Sequence, residues 1–235
     1  MASVTGIFAS AAEAEKAVQS LRAHGFEESQ INILAPGESS FPVHGKQAGA
    51  ALGAFLGLSA ATFVPGLGPV VGMGMIASGL IGTGLGAAVG AAVDRHTHGV
   101  PNEDLYFYEE AVRNGQTVLI VDAHDQTQET KAKNLLERGG GRSVQSLRRE
   151  WWQGLRDEER AYLRRQGREL EPNEPDYRSG FEAALHPGTR GRDYPEVIAY
   201  IEECYPEPCK TDVFRIGYER GQDYFRRRMS ARETE

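Results

Sequence analysis

Cysteine is nearly absent from this 235-residue chain, and its middle has no charge at all. Cys204 and Cys209 are too few for a disulfide framework or a four-ligand zinc site, and a reduced cytoplasmic compartment suits them. Met1 to Phe8 carry neither the basic start nor the long apolar run of a secretory signal, so the amino-terminal part is expected to stay where it is made. Positive charge is not in excess either. A formal net charge of -7 and a pI near 5.5 argue against a general nucleic-acid binder and leave Arg226-Arg227-Arg228 as a local cluster. No Gly-Lys-Ser/Thr follows the glycine runs, which excludes a phosphate-cradling loop. No catalytic constellation stands out, so a non-enzymatic protein without a cofactor is expected.

From Gln47 to Val93 there is not one Asp, Glu, Lys or Arg. The gap divides at a turn made of Pro65, Gly66, Leu67, Gly68 and Pro69, whose prolines and glycines break helices. The pattern predicts a Gly/Ala-rich helical hairpin over residues 45–94, with arms of about 18 and 24 residues, roughly 27 and 36 Å long. Small residues recur every fourth position: Gly45, Gly49, Gly53, Gly57 and Ala61 before the turn, Gly74, Ser78, Gly82, Gly86 and Gly90 after it. Each set forms a smooth strip where another helix can approach closely, while Leu52, Phe55, Leu56 and Phe63 gather on the other side of the first arm. Glycine costs about 1 kcal/mol per helical position in water, so such repetition demands close packing or an apolar solvent. The arms are long enough for a hydrocarbon core of about 30 Å, yet only mildly hydrophobic. The expected partner is therefore membrane lipid or the chain itself, the latter as the shared core of a soluble homo-oligomer; a disordered or aggregation-prone segment is the third reading.

Before the insertion, Val4 to Phe8 reads as a strand. Ser10 offers an N-cap, with Glu13 completing a capping box, to a helix from Ala11 to about His24, and Ile31 to Leu34 reads as a second strand. After it, the spacing predicts a helix from about Glu103 to Arg113, a buried central strand over Thr117 to Val121, a helix over Gln126 to Glu137 and an edge strand over Ser143 to Leu147. Two strand-helix-strand units of this kind pair as a four-stranded ferredoxin-like sheet, an α+β fold over residues 1–35 and 103–147 with the hairpin inserted.

Val4-Thr5-Gly6-Ile7-Phe8 with its Ala-Glu-rich helix, the glycine-zipper insertion, Gly99-Val100-Pro101 followed by Tyr106-Phe107-Tyr108-Glu109, and Gly115 to Val121 together resemble the heat-induced or general-stress-protein (YflT-like) domain of bacteria. The resemblance covers roughly residues 1–145. It implies a ferredoxin-like fold, a glycine-rich central hairpin and a stress-response context, and carries no catalytic residues over.

Residues 148–176 read as a charged helix, Trp151 to Arg168, and an acidic linker with Pro172 and Pro175. Residues 177–229 read as a small all-α domain. Within it a hexapeptide occurs twice, as Tyr177-Arg178-Ser179-Gly180-Phe181-Glu182 and Phe214-Arg215-Ile216-Gly217-Tyr218-Glu219. At helical spacing its aromatics share a face, and its glycine lets a neighbour approach beside them. Tyr194 to Tyr205 is a further predicted helix with Val197, Ile198 and Ile201 inward. With Arg190 to Tyr194 at its centre, the segment resembles a small helical module of unknown function in bacterial stress-associated proteins, departing from it at Cys204-Tyr205-Pro206.

His96 and His98, two apart beside Asp94, are the metal-ligand candidates, though two histidines without a third ligand suit a solvated loop better. His124 between Asp122 and Asp125 fits a polar turn capping the next helix, with a general base as the sharper alternative. Of Trp151 and Trp152, one serves as an anchor for a membrane interface or partner, or one points inward and the other against the second domain. The acids around 103–110 and 157–159 are expected on solvated helix faces, and the two cysteines as structural thiols. An even number of spans returns the chain to its starting side, and Lys46 and Arg95 flank the insertion there, which suits inner-membrane association with cytoplasmic soluble parts. The expected function is a stress-associated protein that self-assembles or joins the membrane through the hairpin, with an unidentified protein partner as an addition; a soluble homo-oligomer and a ligand- or metal-sensing ferredoxin-like module are the alternatives.

Overall fold

The computed structural model describes residues 2–36, 62–64, 68–73 and 104–232. The chain divides into two compact units, Met1–Leu147 and Arg148–Glu235. The first mixes helices and strands, and the second is helical throughout its described elements.

In the first unit β1 (Ala2–Phe8) leads through α1 (Ala11–Ala23) into β2 (Ile31–Pro36). Ser10 stays extended and its hydroxyl accepts the Glu13 N–H at 3.3 Å, which sets where α1 starts. Gly25, at φ +91°, lets the chain turn out of the helix. β5 (Thr117–Ala123) lies between the two strands and is antiparallel to both, facing β1 from Ala2↔Ala123 to Phe8↔Thr117 and β2 from Ile31↔Val121 to Leu34↔Val118. Its β-branched, apolar run is fully buried from Val118 to Val121, as the sequence predicts for a central strand. α3 (Gln126–Arg138) begins where the Asp125 carboxylate accepts the Gln128 N–H at 2.8 Å. It packs with α1 on one sheet face, around Phe8, Val18, Leu21, Ile31, Ile33, Leu119, Val121 and Leu136. The strand period of two sends Thr5 to the opposite face, where its hydroxyl meets the Tyr108 hydroxyl of α2 (Leu105–Arg113) at 2.8 Å.

Two expectations about this unit are corrected. Around the turn the insertion is not helical: β3 (Thr62–Val64) and β4 (Gly68–Met73) pair antiparallel, and β4 joins β2, extending the sheet to the order β1-β5-β2-β4-β3. Thr62, Val64, Val70 and Val71 are β-branched and the prolines bar a continuous helix, so a strand hairpin is the better use of this stretch. The proposed fourth strand over Ser143 to Leu147 is also absent. Only Arg142 pairs with Ile7, through bonds of 2.8 and 2.9 Å, before the Ser143 hydroxyl accepts the Ser146 N–H at 3.2 Å and starts α4 (Val144–Arg165). A serine cap thus wins over an edge pairing.

The unit boundary falls within α4, which starts seven residues before Trp151 and ends at Arg165, not Arg168. What reads as an acidic linker is ordered: a 3-10 turn spans Glu171–Asn173 and α5 covers Glu174–Leu185, with Pro175 in the first turn, where its missing N–H costs nothing. α6 (Tyr194–Cys204) and α7 (Asp212–Arg232) complete the unit. In α6, Val197 and Ile201 are buried as expected, but Ile198 is 44% exposed, because Val197 and Ile201 already point at the unit's core and Ile198 falls off that stripe.

Candidate functional site

The two copies of the hexapeptide lie on α5 and α7, and the structure brings them together as a reciprocal crossing. A Cβ built on Gly180 would collide with the carbonyl oxygen of Phe214 and lie 2.8 Å from its carbon; one built on Gly217 would collide with the carbonyl oxygen of Tyr177 and lie 2.9 Å from its carbon. The glycine of each copy therefore receives the backbone of the other copy's first aromatic. In place of a Cβ, each presents an α-hydrogen to a carbonyl, a contact worth about 0.5–1 kcal/mol. Gly221 repeats the arrangement one turn on, where an added Cβ would lie 2.5 Å from the Phe181 carbonyl oxygen.

The remaining motif residues line this crossing. Arg178 pairs with Glu182 at 2.6 Å and Arg215 with Glu219 at 3.1 Å, the same i,i+4 pair in both copies. The first copy's aromatics meet α4: Trp151 and Trp152 contact Phe181 edge-on at 5.7 and 6.0 Å, and Trp152 donates its indole N–H to Glu174 at 2.7 Å. Trp152 is buried and Trp151 half-buried, and both pack against the helical domain expected over residues 177–229, Trp151 also meeting Tyr224 at 6.2 Å, so the reading with one inward and one against the second domain fits better than a membrane or partner anchor. The second copy's Tyr218 instead shares its hydroxyl proton between the carbonyls of Thr189 and Arg192, both at 3.0 Å, and burial pushes its pKa up to about 12. Gln222 completes that corner. Its amide donates to Thr189 O and Tyr218 Oη at 2.9 and 3.0 Å, and its carbonyl accepts the Gly191 N–H at 2.7 Å.

Beside the crossing lies a buried ion pair that sequence reasoning missed. Glu159 of α4 is 1% exposed and accepts the Tyr177 hydroxyl at 2.6 Å, the Arg220 Nε at 3.0 Å and the Arg220 Nη2 at 2.6 Å. The Arg220 guanidinium also sits 4.2 Å from the centre of the Tyr162 ring. Burial together with the Glu159 carboxylate holds the Tyr177 phenol far above its ordinary pKa, so Tyr177 is a fixed donor. Fork and carboxylate are matched and dry, a geometry suited to clamping helices. Of the acids expected on a solvated face, Asp157 and Glu158 are exposed and Glu159 is not. The signal was present: Trp152, Glu159 and Leu163 fall on one buried stripe of α4. Asp104 and Glu109 in the first unit depart in the same way, both buried, Glu109 on the stripe of Leu105 and Val112 and 4.0 Å from Arg113.

At the end of β5, Asp122 is a half-buried carboxylate held by Asn32 Nδ2 at 3.2 Å. Burial raises its pKa, against the Asn32 hydrogen bond and the charge of His124. A carboxyl whose folded pKa is raised stabilises the fold most below its unfolded pKa of about 3.9 and loses that contribution as pH rises through the folded value. Asp122→Asn is therefore expected to stabilise the first unit slightly at neutral pH, by less than about 1 kcal/mol since water still reaches the group, and to flatten its acid profile, as measured by hydrogen exchange of β5. His124 lies in the exposed turn whose cap is Asp125, the bland alternative of the two foreseen for it.

The zipper residues Gly45, Gly49, Gly53, Gly57, Ala61, Gly74, Ser78, Gly82, Gly86 and Gly90, the turn residues Pro65 and Gly66, and His96 and His98 lie outside the described residues. Gly68 and Pro69 open β4, opposite Val64 and Phe63. Cys204 and Cys209 are half-buried and not joined in a disulfide. Among the described residues no cluster of three or more His, Cys, Asp or Glu is placed to hold a metal ion, and no helix is long and apolar enough to cross a membrane. No family model, curated protein or solved structure matches this chain.

Proposed function

We propose that this chain is a non-enzymatic, self-associating protein of the bacterial stress response, in which the uncharged insertion of a ferredoxin-like unit is the assembling element and the helical unit is a rigid appendage. The resemblance of residues 1–145 to the general-stress domain supports the context. The parallel β1 and β2, joined through α1 and flanking an antiparallel β5, support the ferredoxin-like reading, with Arg142 beside Ile7 where a fourth strand would run.

The observation that carries the proposal is where the insertion's strands fall. Because β3 and β4 occupy residues 62–64 and 68–73, a helix before them has only residues 47–61 without charge, about 22 Å, against a hydrocarbon core of about 30 Å. Two full spans no longer fit, and close packing among copies becomes the better outlet for a segment without charge. At the same time β3 is the last strand of the sheet among the described residues, short and apolar in sequence, a place where further strands add readily.

Fractionation of the expressed protein without detergent tests this. A discrete oligomer in the high-speed supernatant, lost on deleting residues 47–93, is the expected result. Recovery in washed membranes, released only by detergent, would favour lipid as the partner instead, and a monomer at every concentration would sink the proposal.

A further inference from the structure

The second unit carries two unlike surface patches that complement each other. On α6, Ile198 stands out as the exposed large apolar side chain of the described residues. One turn on is Glu202, next to Glu203, and α6 contains no Lys or Arg. Neither acid makes an ion pair among the described residues. The other patch lies where α4 ends. A cavity of about 190 Å³ is floored by Leu163, Pro172 and Val213 and rimmed by Arg168, Glu169 and Asn173. Apolar cavities of roughly 150 Å³ accept a benzene ring, so this one has room for a branched aliphatic side chain. Arg164 and Arg165 at the end of α4 and Arg168 just beyond it are all exposed and without ion-pair partners among the described residues, and of the three Arg168 borders the cavity, next to Glu169.

We infer that α6 of one copy docks on the α4 end of a second copy, Ile198 entering the cavity floored by Leu163, Pro172 and Val213 and Glu202 facing Arg168. The occupant is a second copy because the two patches are complementary: an apolar knob beside Glu202 and Glu203 meets an apolar hole at a helix end where Arg164, Arg165 and Arg168 outnumber Glu169, the one acid of the lining. The contact is heterologous, so each copy offers a knob to one neighbour and a hole to another, and copies add head to tail. It does not involve the insertion, and would link assemblies that the insertion has already formed. Exposed ion pairs contribute little and are screened by salt, so Ile198 supplies the affinity and the charges choose the partner.

Sedimentation velocity of the full chain over a concentration series tests the contact. Ile198→Asp is expected to weaken association about tenfold, the scale of losing one buried anchor, and raising salt from about 0.05 to about 0.5 M should weaken the parent as well. Arg168→Glu and Glu202→Arg should each weaken association alone, and an equal mixture of these two variants should associate again, the two alternating along the head-to-tail series because each knob then meets a hole of opposite charge. Ile198 is exposed, so the fold should survive its replacement, which the tryptophan fluorescence of the second unit checks. If Ile198→Asp sediments like the parent, or the mixture stays apart, the contact is overturned. Assembly that dissolves in mild non-ionic detergent but ignores both salt and Ile198→Asp would leave the insertion as the assembling element and remove this contact.

Discussion

Gly180→Ala is expected to destabilise the helical unit by more than about 4 kcal/mol, and Gly217→Ala by a similar amount. In each case the new methyl would enter space held by backbone, the carbonyl group of Phe214 or of Tyr177, which cannot swing aside as a side chain does. The helices would have to separate, and with them the contacts of Phe181 with Trp151 and Trp152. Gly154 on α4 is the control. A Cβ there meets nothing within 4 Å, so Gly154→Ala should be neutral or stabilise by up to about 1 kcal/mol, the ordinary helix preference. Both tryptophans of the chain belong to this unit, so denaturant titration followed by fluorescence reads its stability selectively. Equal midpoints for Gly180→Ala and the parent would show that the crossing is looser than described.

Arg220→Met is expected to cost the same unit about 3–5 kcal/mol, because it leaves the Glu159 carboxylate buried with only the Tyr177 hydroxyl as donor. Removing the carboxylate as well should return much of the loss. In the double variant Arg220→Met with Glu159→Leu no charge stays behind, and replacing a buried pair by packed apolar groups is often close to neutral. The double-mutant cycle therefore predicts strong positive coupling, read from the same fluorescence titrations. Additive losses would mean that water reaches the pair and that it does not clamp α4 to α7.

Much of this architecture is legible along the chain. Ser10 and Asp125 announce α1 and α3 because a cap is a local bond, made within three residues of where it is written. The run from Thr117 to Val121 announces β5 because only a strand buried on both faces tolerates continuous apolar residues. The doubled hexapeptide likewise marks the helices that cross, since a glycine among aromatics at fixed spacing has little other use in a helix interior. Less legible were signals that compete at short range. Residues 62–73 lie between two small-residue helix ladders yet are themselves rich in β-branched residues and broken by prolines, and pairing of β4 with β2, far away in sequence, makes them strands. Ser143 is both a possible strand start and a helix cap, and the cap prevails.

The starts of α1 and α3, the central strand and the presence of a doubled glycine motif were thus settled by residue order, because each depends on interactions among near neighbours or on a repeated pattern; that the two copies of the motif meet each other was decided by the packed structure. Which acids are buried was not. Glu158 and Glu159 are adjacent and chemically alike, yet one is exposed and the other lies between Tyr177 and Arg220. Only the packed structure decides this, because the free energy of a buried charge depends on a partner 61 residues away arriving at hydrogen-bond distance.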